Sequence, residues 1–242
     1  KSQKPYLRPF ISYQASRLKK EELEMVKSAD SVITVTQEES DALSSLTGQK
    51  SSIVANGIDP NVFLYKFNKK IQNNILFVGN FSYFPNVDAV NFFYENVFEK
   101  LDKDITFTII GKKVKEKFKF RDARIIMKDF VEDIVLEYRN ADILIFPVRI
   151  GGGTNFKVLE AMSLGISIVA YPNRMEGLRA VNEEHFLEAR FGDEYIKQIK
   201  RLYEDAKLRE TISYNARLLI EKYYAWNSIG KELLRVWKNV LD

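Results

Sequence analysis

Short apolar, β-branched runs alternate along this chain with longer stretches in which apolar and polar positions recur at helical spacing. The runs at 31–36, 52–55, 75–78, 106–110, 124–127, 143–146 and 166–170 predict strands. The stretches 87–100, 131–140 and 155–164 predict helices between them. Upstream, about 14–27 predicts a further helix, and a short one separates the first two strands. Most strand runs are apolar throughout rather than alternating, the pattern of strands covered on both faces. Strands alternating with helices predict an α/β fold, a parallel sheet with helices on both faces. From 193 onward the pattern is helical, with an interruption expected near 226–230.

The pattern lapses over 56–74, where Asn-Gly, Asp-Pro and a polar Asn/Lys run mark turns and loops. A domain boundary is expected there. Residues 1–55 hold too few elements for a doubly wound domain by themselves; alternatively they extend one larger domain. The opening residues, 1–10, read as the interior of a longer protein.

Composition narrows the function classes. The 242 residues are 45% apolar, enough to bury a sizeable core, with a net charge of +4. That mild basicity is not the strong single-sign balance of a nucleic-acid binder. There is no cysteine, so disulfides and thiolate metal sites are excluded, and the one histidine, His185, argues against a histidine metal cluster. His185 lies in an acidic stretch that reads as the exposed start of a helix. No apolar run approaches the roughly 20 residues that span a bilayer. Six basic residues among aromatics in 1–20 leave contact with anionic lipid open, although a solvated helix face or a truncated domain interface explains them better. The lysine-rich stretch 112–124 reads as an exposed loop or helix.

The most informative segment is 141–165. A buried strand, ADILIFPV, leads through Arg149 and Ile150 into three glycines and then TNFKVLEAMSLG. Three glycines without Cβ atoms let backbone approach a ligand closely. Thr154 or Asn155 can cap the following helix, whose free N–H groups and positive dipole end suit a phosphate. Lys157 adds a positive charge in the first turn. A tight turn alone would also use these glycines. The dinucleotide pattern G-x-G-x-x-G fails at Phe156, and the P-loop pattern is absent. Glu160 follows about one turn on, at the distance of a ribose from its diphosphate, and a carboxylate can accept from two vicinal hydroxyls. A solvent-facing glutamate is the alternative.

At these residues the chain resembles the retaining glycosyltransferase family 4, of GT-B architecture. PVRIGGGTNFKVLEAMSLGISIVAYPNRMEGL resembles that family's signature loop, helix and strand. FVGNFSYFPNVDAVNFF is similar to the first strand and helix of its donor-binding domain, closest to a bacterial exopolysaccharide-associated branch. IVANGIDPNVF resembles the interdomain link, KDFVEDIVLEYRNADILIFPV the nucleobase-contacting turn and its helix, and YYAWNSIGKELLRVW the closing helices. The resemblance runs from about Ser31 to the end. It implies a Rossmann-like doubly wound sheet over 75–207, an interdomain link at 56–74, closing helices at 208–242, and a remnant of an N-terminal acceptor-side domain at 1–55.

The resemblance also implies roles by position. Glu160 matches the glutamate that holds the nucleotide ribose. Gly153, Thr154 and Asn155 match the turn whose amides meet the diphosphate. Phe130 and Val131 match the turn against which the base lies. Gly79 matches the glycine beside the donor phosphates. Lys157 matches a lysine common in the GGGT-type branch, taken here as a phosphate contact. Three departures qualify this. Gly152 stands where the family often has a second glutamate. Asn80 and the Pro85–Asn86 pair stand where an Arg and a Lys usually neutralise the leaving diphosphate. The family histidine and much of the acceptor site belong to an N-terminal domain absent from these residues.

The implied function is retaining transfer of a sugar from a nucleotide diphosphate sugar to a glycan or lipid-linked acceptor. This chain would supply the donor-binding half, inactive alone, in the cytoplasm or at the inner membrane face. No cofactor or metal is expected. The protein itself would stabilise charge on the departing diphosphate, with Arg149, Lys157 and Lys112 as candidate cations. Pairing with a nearby carboxylate is an equal alternative for Arg149, and plain surface solvation is the alternative for Lys112. Glu176, in RMEGL, is a further donor contact or a helix cap. Two acids on opposing strand ends, as in glycoside hydrolases, are not evident, and no G-x-S-x-G elbow appears. A non-catalytic nucleotide- or partner-binding module, and a sugar epimerase of the same architecture, are the other readings.

Overall fold

The computed structural model describes residues 5–68, 70–150, 156–172 and 175–241. The chain divides into two compact units, one of 56–229 and one of 1–55 with 230–242.

The larger unit is built on a six-stranded sheet. Its strands are β3 (Asn74–Val78), β4 (Thr106–Ile110), β5 (Ile125–Lys128), β6 (Ile143–Phe146), β7 (Ser167–Ala170) and β8 (Leu187–Glu188), in the order β5-β4-β3-β6-β7-β8, all parallel. Its helices are α3 (Phe84–Asn96), α4 (Val114–Lys117), α5 (Ile134–Arg139), α6 (Phe156–Leu164), α7 (Gly192–Glu204) and α8 (Ala206–Tyr223). α6 packs against α5 and α8, and α3 packs against α7. Every residue of β6 and β7 is buried, as their largely apolar sequences predict for strands covered on both faces. Phe93 of α3 meets Phe107 of β4 at 4.9 Å between ring centres, and Phe98 meets Phe107 at 5.5 Å. Fully burying each such ring contributes about 2–3 kcal/mol.

The strand order explains where a ligand would sit. From β3 the chain winds outward through β4 to β5, then returns to β6 beside β3 and winds the other way. Adjacent loops after β3 and β6 therefore diverge, opening a crevice at their carboxyl ends. Two glycines let these ends close up. Gly79 N–H donates to the Ile110 carbonyl at 2.9 Å, and a Cβ on Gly111, whose φ is +142°, would meet the Gly79 carbonyl oxygen at 1.7 Å.

Three local expectations are corrected. His185 is not on an exposed helix but 8% exposed in the turn before β8, a strand missed in the sequence. Its Nδ1 accepts the Val181 N–H at 3.0 Å, so the ring pins that turn. The lysine-rich stretch 112–124 is exposed only in part: it contains α4, with Val114 and Phe118 buried. The helical C-terminus breaks at Asp205 and at residues 224–225 rather than at 226–230, since α9 runs Trp226–Leu241. Asp205 ends the first segment by capping α8, its Oδ1 accepting the Leu208 N–H at 2.8 Å. At the second break Ile58 takes the chain out of the helix: its N–H donates to the Tyr224 carbonyl, and its carbonyl accepts the Trp226 N–H. Trp226 packs on Gly57, where a Cβ would come within 2.7 Å of the indole, so the Asn-Gly pair serves packing as well as turning.

Arg217 of α8 ties down the 56–74 segment at Pro60 and Phe63. Its guanidinium donates to the Pro60, Phe63 and Ser163 carbonyls at 2.7–3.2 Å and pairs with Glu221 at 2.7 Å.

The smaller unit contains α1 (Arg8–Ser28), β1 (Ile33–Thr34), α2 (Gln37–Thr47) and β2 (Ser52–Ile53), β1 and β2 pairing in parallel. α1 begins earlier than its pattern predicts and buries no residue. Among the described residues no helix is long and apolar enough to cross a membrane.

Candidate functional site

β6 delivers Arg149 to the crevice at the switch point, and α6 begins on the far side of the glycines. Residues 151–155 lie outside the described structure, so Gly153, Thr154 and Asn155 have no geometry here. Lys157 and Glu160 of α6 are both described, and the helix buries Val158 and Leu159 between them and Ala161 and Met162 just beyond. That burial fixes the rotation of α6, and so the direction of its two charged side chains.

Glu160 is half-buried. Tyr138 of α5, with no exposed surface, donates its phenol proton to Glu160 Oε2 at 2.8 Å. The same hydroxyl lies 3.2 Å from the Lys157 carbonyl. Burial raises the Glu160 carboxyl above its ordinary value, while the Tyr138 bond and the Lys157 charge pull it back. Tyr138 has no motif-like signal of its own. It stands 22 positions from Glu160, and only the packing of α5 on α6 joins them. Tyr138→Phe removes a buried donor from a carboxylate and is expected to lower stability by about 1–2 kcal/mol. It should also move the Glu160 titration to higher pH, because the lost bond favours the ionised form. Thermal melting and carboxyl-carbon NMR read the two effects; an unmoved Glu160 midpoint would mean the bond is not made in solution.

Lys157 Nζ donates to Asn86 Oδ1 at 3.0 Å and sits 4.6 Å from the ring centre of Phe77 and 5.4 Å from that of Phe146. Removal from water lowers its pKa to about 7, against a smaller opposing effect of Glu160. Arg149 pairs with a carboxylate, that of Asp88 on α3, at 2.8–3.2 Å, and its guanidinium lies 4.7 Å from the Phe92 ring centre. Asp88 was not singled out in the sequence.

Gly79 ends β3 directly under Asn86: a Cβ there would come within 2.9 Å of Asn86 Cγ. Asn80 forms a turn, its Oδ1 accepting the Ser82 N–H at 2.9 Å. Phe130 is 81% exposed beyond β5, and Val131 is half-buried. Lys112 is exposed, and its carbonyl accepts the Phe81 N–H at 3.0 Å. Glu176 lies in a single 3-10 turn, Glu176–Leu178. Among the described residues no group of three or more His, Asp or Glu side chains is placed to hold a metal ion.

The arrangement so far is a crevice at a switch point, with a carboxylate one turn into a helix and two cations flanking a glycine run. A family model described as Glycosyl transferases group 1 matches residues 72–205, more than half the chain. The chain belongs to the glycosyl transferases group 1. It is 25% identical over 189 residues to an uncharacterised glycosyltransferase of Methanocaldococcus jannaschii, a match covering 73% of this chain and 47% of the relative. Among solved structures, Anabaena HepE in complex with UDP and glucose matches with a TM-score of 0.74 at 16% identity, covering 91% of this chain and 66% of that one. Sucrose-phosphate synthase from Thermosynechococcus elongatus matches with a TM-score of 0.71 at 15% identity, covering 91% and 60%. At these identities the likeness shows the fold: an α/β domain as found in GT-B glycosyltransferases. The chain spans about half the length of its curated relative.

Proposed function

We propose that this chain is the donor-binding half of a retaining family 4 glycosyltransferase, which moves a sugar from a nucleotide diphosphate sugar to a glycan or lipid-linked acceptor. The observation that carries the reading is Glu160, fixed by Tyr138 one turn into the helix that follows the glycine run. With Oε2 engaged by the phenol, Oε1 is left to accept from ribose hydroxyls. The N-terminus of α6, Gly153, Thr154 and Asn155 would meet the diphosphate through backbone amides, beside Gly79 and Asn80. Phe130 and Val131 would carry the base. HepE, which shares the fold, binds UDP, and this supports a nucleotide donor here. No cofactor is invoked. As the sugar–phosphate bond breaks, negative charge grows on the diphosphate, where Lys157 and the helix amides oppose it. Residues 1–55 belong, in this reading, to the acceptor-side domain, with the cytoplasmic membrane face as the place of action.

Lys157 gives this reading a pH signature. Burial lowers the pKa of its amine to about 7 in the free protein. A bound diphosphate favours the charged form, so binding takes up a proton. Affinity is expected to fall as pH rises above about 7, approaching tenfold per pH unit at most for one linked proton. The nucleotide's terminal phosphate also titrates, so the comparison with Lys157→Met isolates the lysine. Calorimetry in buffers of different ionisation heat measures the uptake; equal uptake in both proteins would contradict the assignment.

Transfer itself is tested by following nucleotide release from UDP-sugars with and without glycan acceptors, in protein that includes the acceptor-side domain. Acceptor-dependent release, with the anomeric configuration kept, is the expected result. Binding with no release would favour the second reading, a non-catalytic binding module, for which Gly152 in place of an acid is the supporting feature.

A further inference from the structure

Arg149 and Lys157 stand on either side of the glycine run, and both reach the first turns of α3, but they are held differently. Arg149 is met by the Asp88 carboxylate at 2.8–3.2 Å, so a negative charge lies against it. Lys157 is met by Asn86 Oδ1, a neutral amide oxygen, at 3.0 Å. The rings of Phe77 and Phe146 beside the ammonium carry no net charge. The carboxylate that acts on Lys157 is Glu160 of its own helix, and Tyr138 of α5 engages that group.

Asn86 is 8% exposed, and its carboxamide is oriented by a second bond. Its Nδ2 donates to the Asn80 carbonyl at 2.9 Å, which turns the oxygen toward Lys157. A flipped amide would set its NH2 against an ammonium and a donor-poor carbonyl against another, losing both bonds. Asn86 thus joins the turn after β3 to the first turn of α6, across 71 residues of sequence. A carboxylate at this position would hold the ammonium as well but would cancel its field at any third group nearby.

We propose that Asn86 is a positioning residue for the donor diphosphate: it fixes the Lys157 ammonium through a neutral acceptor and so leaves its positive charge for the phosphates. This deepens the donor-binding reading and rests on it. Asp88, by contrast, largely offsets Arg149, which makes Lys157 the principal cation of the site.

The test is calorimetric titration of wild-type, Asn86→Asp and Asn86→Ala protein with UDP and UMP from pH 6 to 9, or with the matching pair if another base binds. Circular dichroism melts confirm folding. In Asn86→Asp the preference for UDP over UMP at pH 6 is expected to fall about tenfold as the carboxylate offsets the ammonium. The alkaline limb of UDP binding should move up by about one pH unit, since a neighbouring carboxylate favours the charged lysine. In Asn86→Ala the preference should fall without an upward shift of the limb. A merely structural role would weaken UDP and UMP alike and leave the limb in place. Should Asn86→Asp not fold, Lys157→Met decides: on that background Asn86→Ala should cost no further UDP preference.

A folded Asn86→Asp protein with the wild-type preference and limb, or a further loss on the Lys157→Met background, would overturn the proposal. If UDP binding depends on Glu160 but not on Asn86, this inference alone fails. If the wild-type protein binds no nucleoside diphosphate, the donor reading fails and takes this one with it.

Discussion

Glu160→Ala is expected to weaken nucleoside diphosphate binding by about a hundredfold or more while leaving the protein folded. Two hydrogen bonds from ribose hydroxyls to a charged acceptor are worth about 1.5–3 kcal/mol each. The carboxylate is also prepared for them. Tyr138 holds one oxygen at 2.8 Å, and the buried residues on either side of Glu160 prevent α6 from turning. Alanine suits a helix interior, so the backbone should not suffer. The loss should appear equally with mono- and diphosphate, because the ribose is common to both. That separates Glu160 from Lys157 and Asn86, whose effects should scale with phosphate charge. Isothermal calorimetry with the mono- and diphosphate of one base measures both; a folded Glu160→Ala protein with near-wild-type affinity would remove the ribose assignment.

Gly111→Ala is expected to be the most damaging small substitution in the larger unit. Its φ of +142° is one that L-residues rarely adopt, and the added Cβ would lie 1.7 Å from the Gly79 carbonyl oxygen. Neither backbone can retreat easily. Gly111 N–H donates to the Lys128 carbonyl and Gly79 N–H to the Ile110 carbonyl, both at 2.9 Å, so β3, β4 and β5 are locked together at this end. Backbone strain and a steric clash of this kind place the change among the exceptional mutations, above about 4 kcal/mol. The melting temperature should fall on the order of 10 °C, or the protein should fail to fold. Gly48→Ala provides the contrast. It also has positive φ, +74°, yet nothing lies within 4 Å of its added Cβ. A melting temperature for Gly111→Ala equal to that of Gly48→Ala would contradict this account of the strand ends.

The strands of the larger unit were legible because burial on both faces leaves apolar runs such as ILIF in β6 and IVA in β7. β8 was not, being two residues long beside a histidine and an acidic stretch that suggest surface. His185 shows why: the bond its ring accepts from the Val181 N–H satisfies a turn rather than solvent, and such a bond has no sequence signature. Trp226 misled for a similar reason, since the break beside it comes from Ile58, a residue far upstream.

At the site, the spacing from the glycines to Lys157 and Glu160 is local and could be read directly. The partners that give those residues their character could not. Tyr138, Asn86 and Asp88 lie 22, 71 and 61 positions from Glu160, Lys157 and Arg149. Only the return of the chain to β6 beside β3 brings the first turns of α3 next to Arg149 and Lys157. The two open alternatives for Arg149, phosphate contact or carboxylate partner, meet a bidentate pair with Asp88 that no local pattern would predict.

The most direct test of the central claim is calorimetric titration of the wild-type protein with UDP, GDP and ADP. The account predicts that one of the three binds with one-to-one stoichiometry and identifies the base. Well-folded protein that binds none of them would contradict a donor site at the switch point.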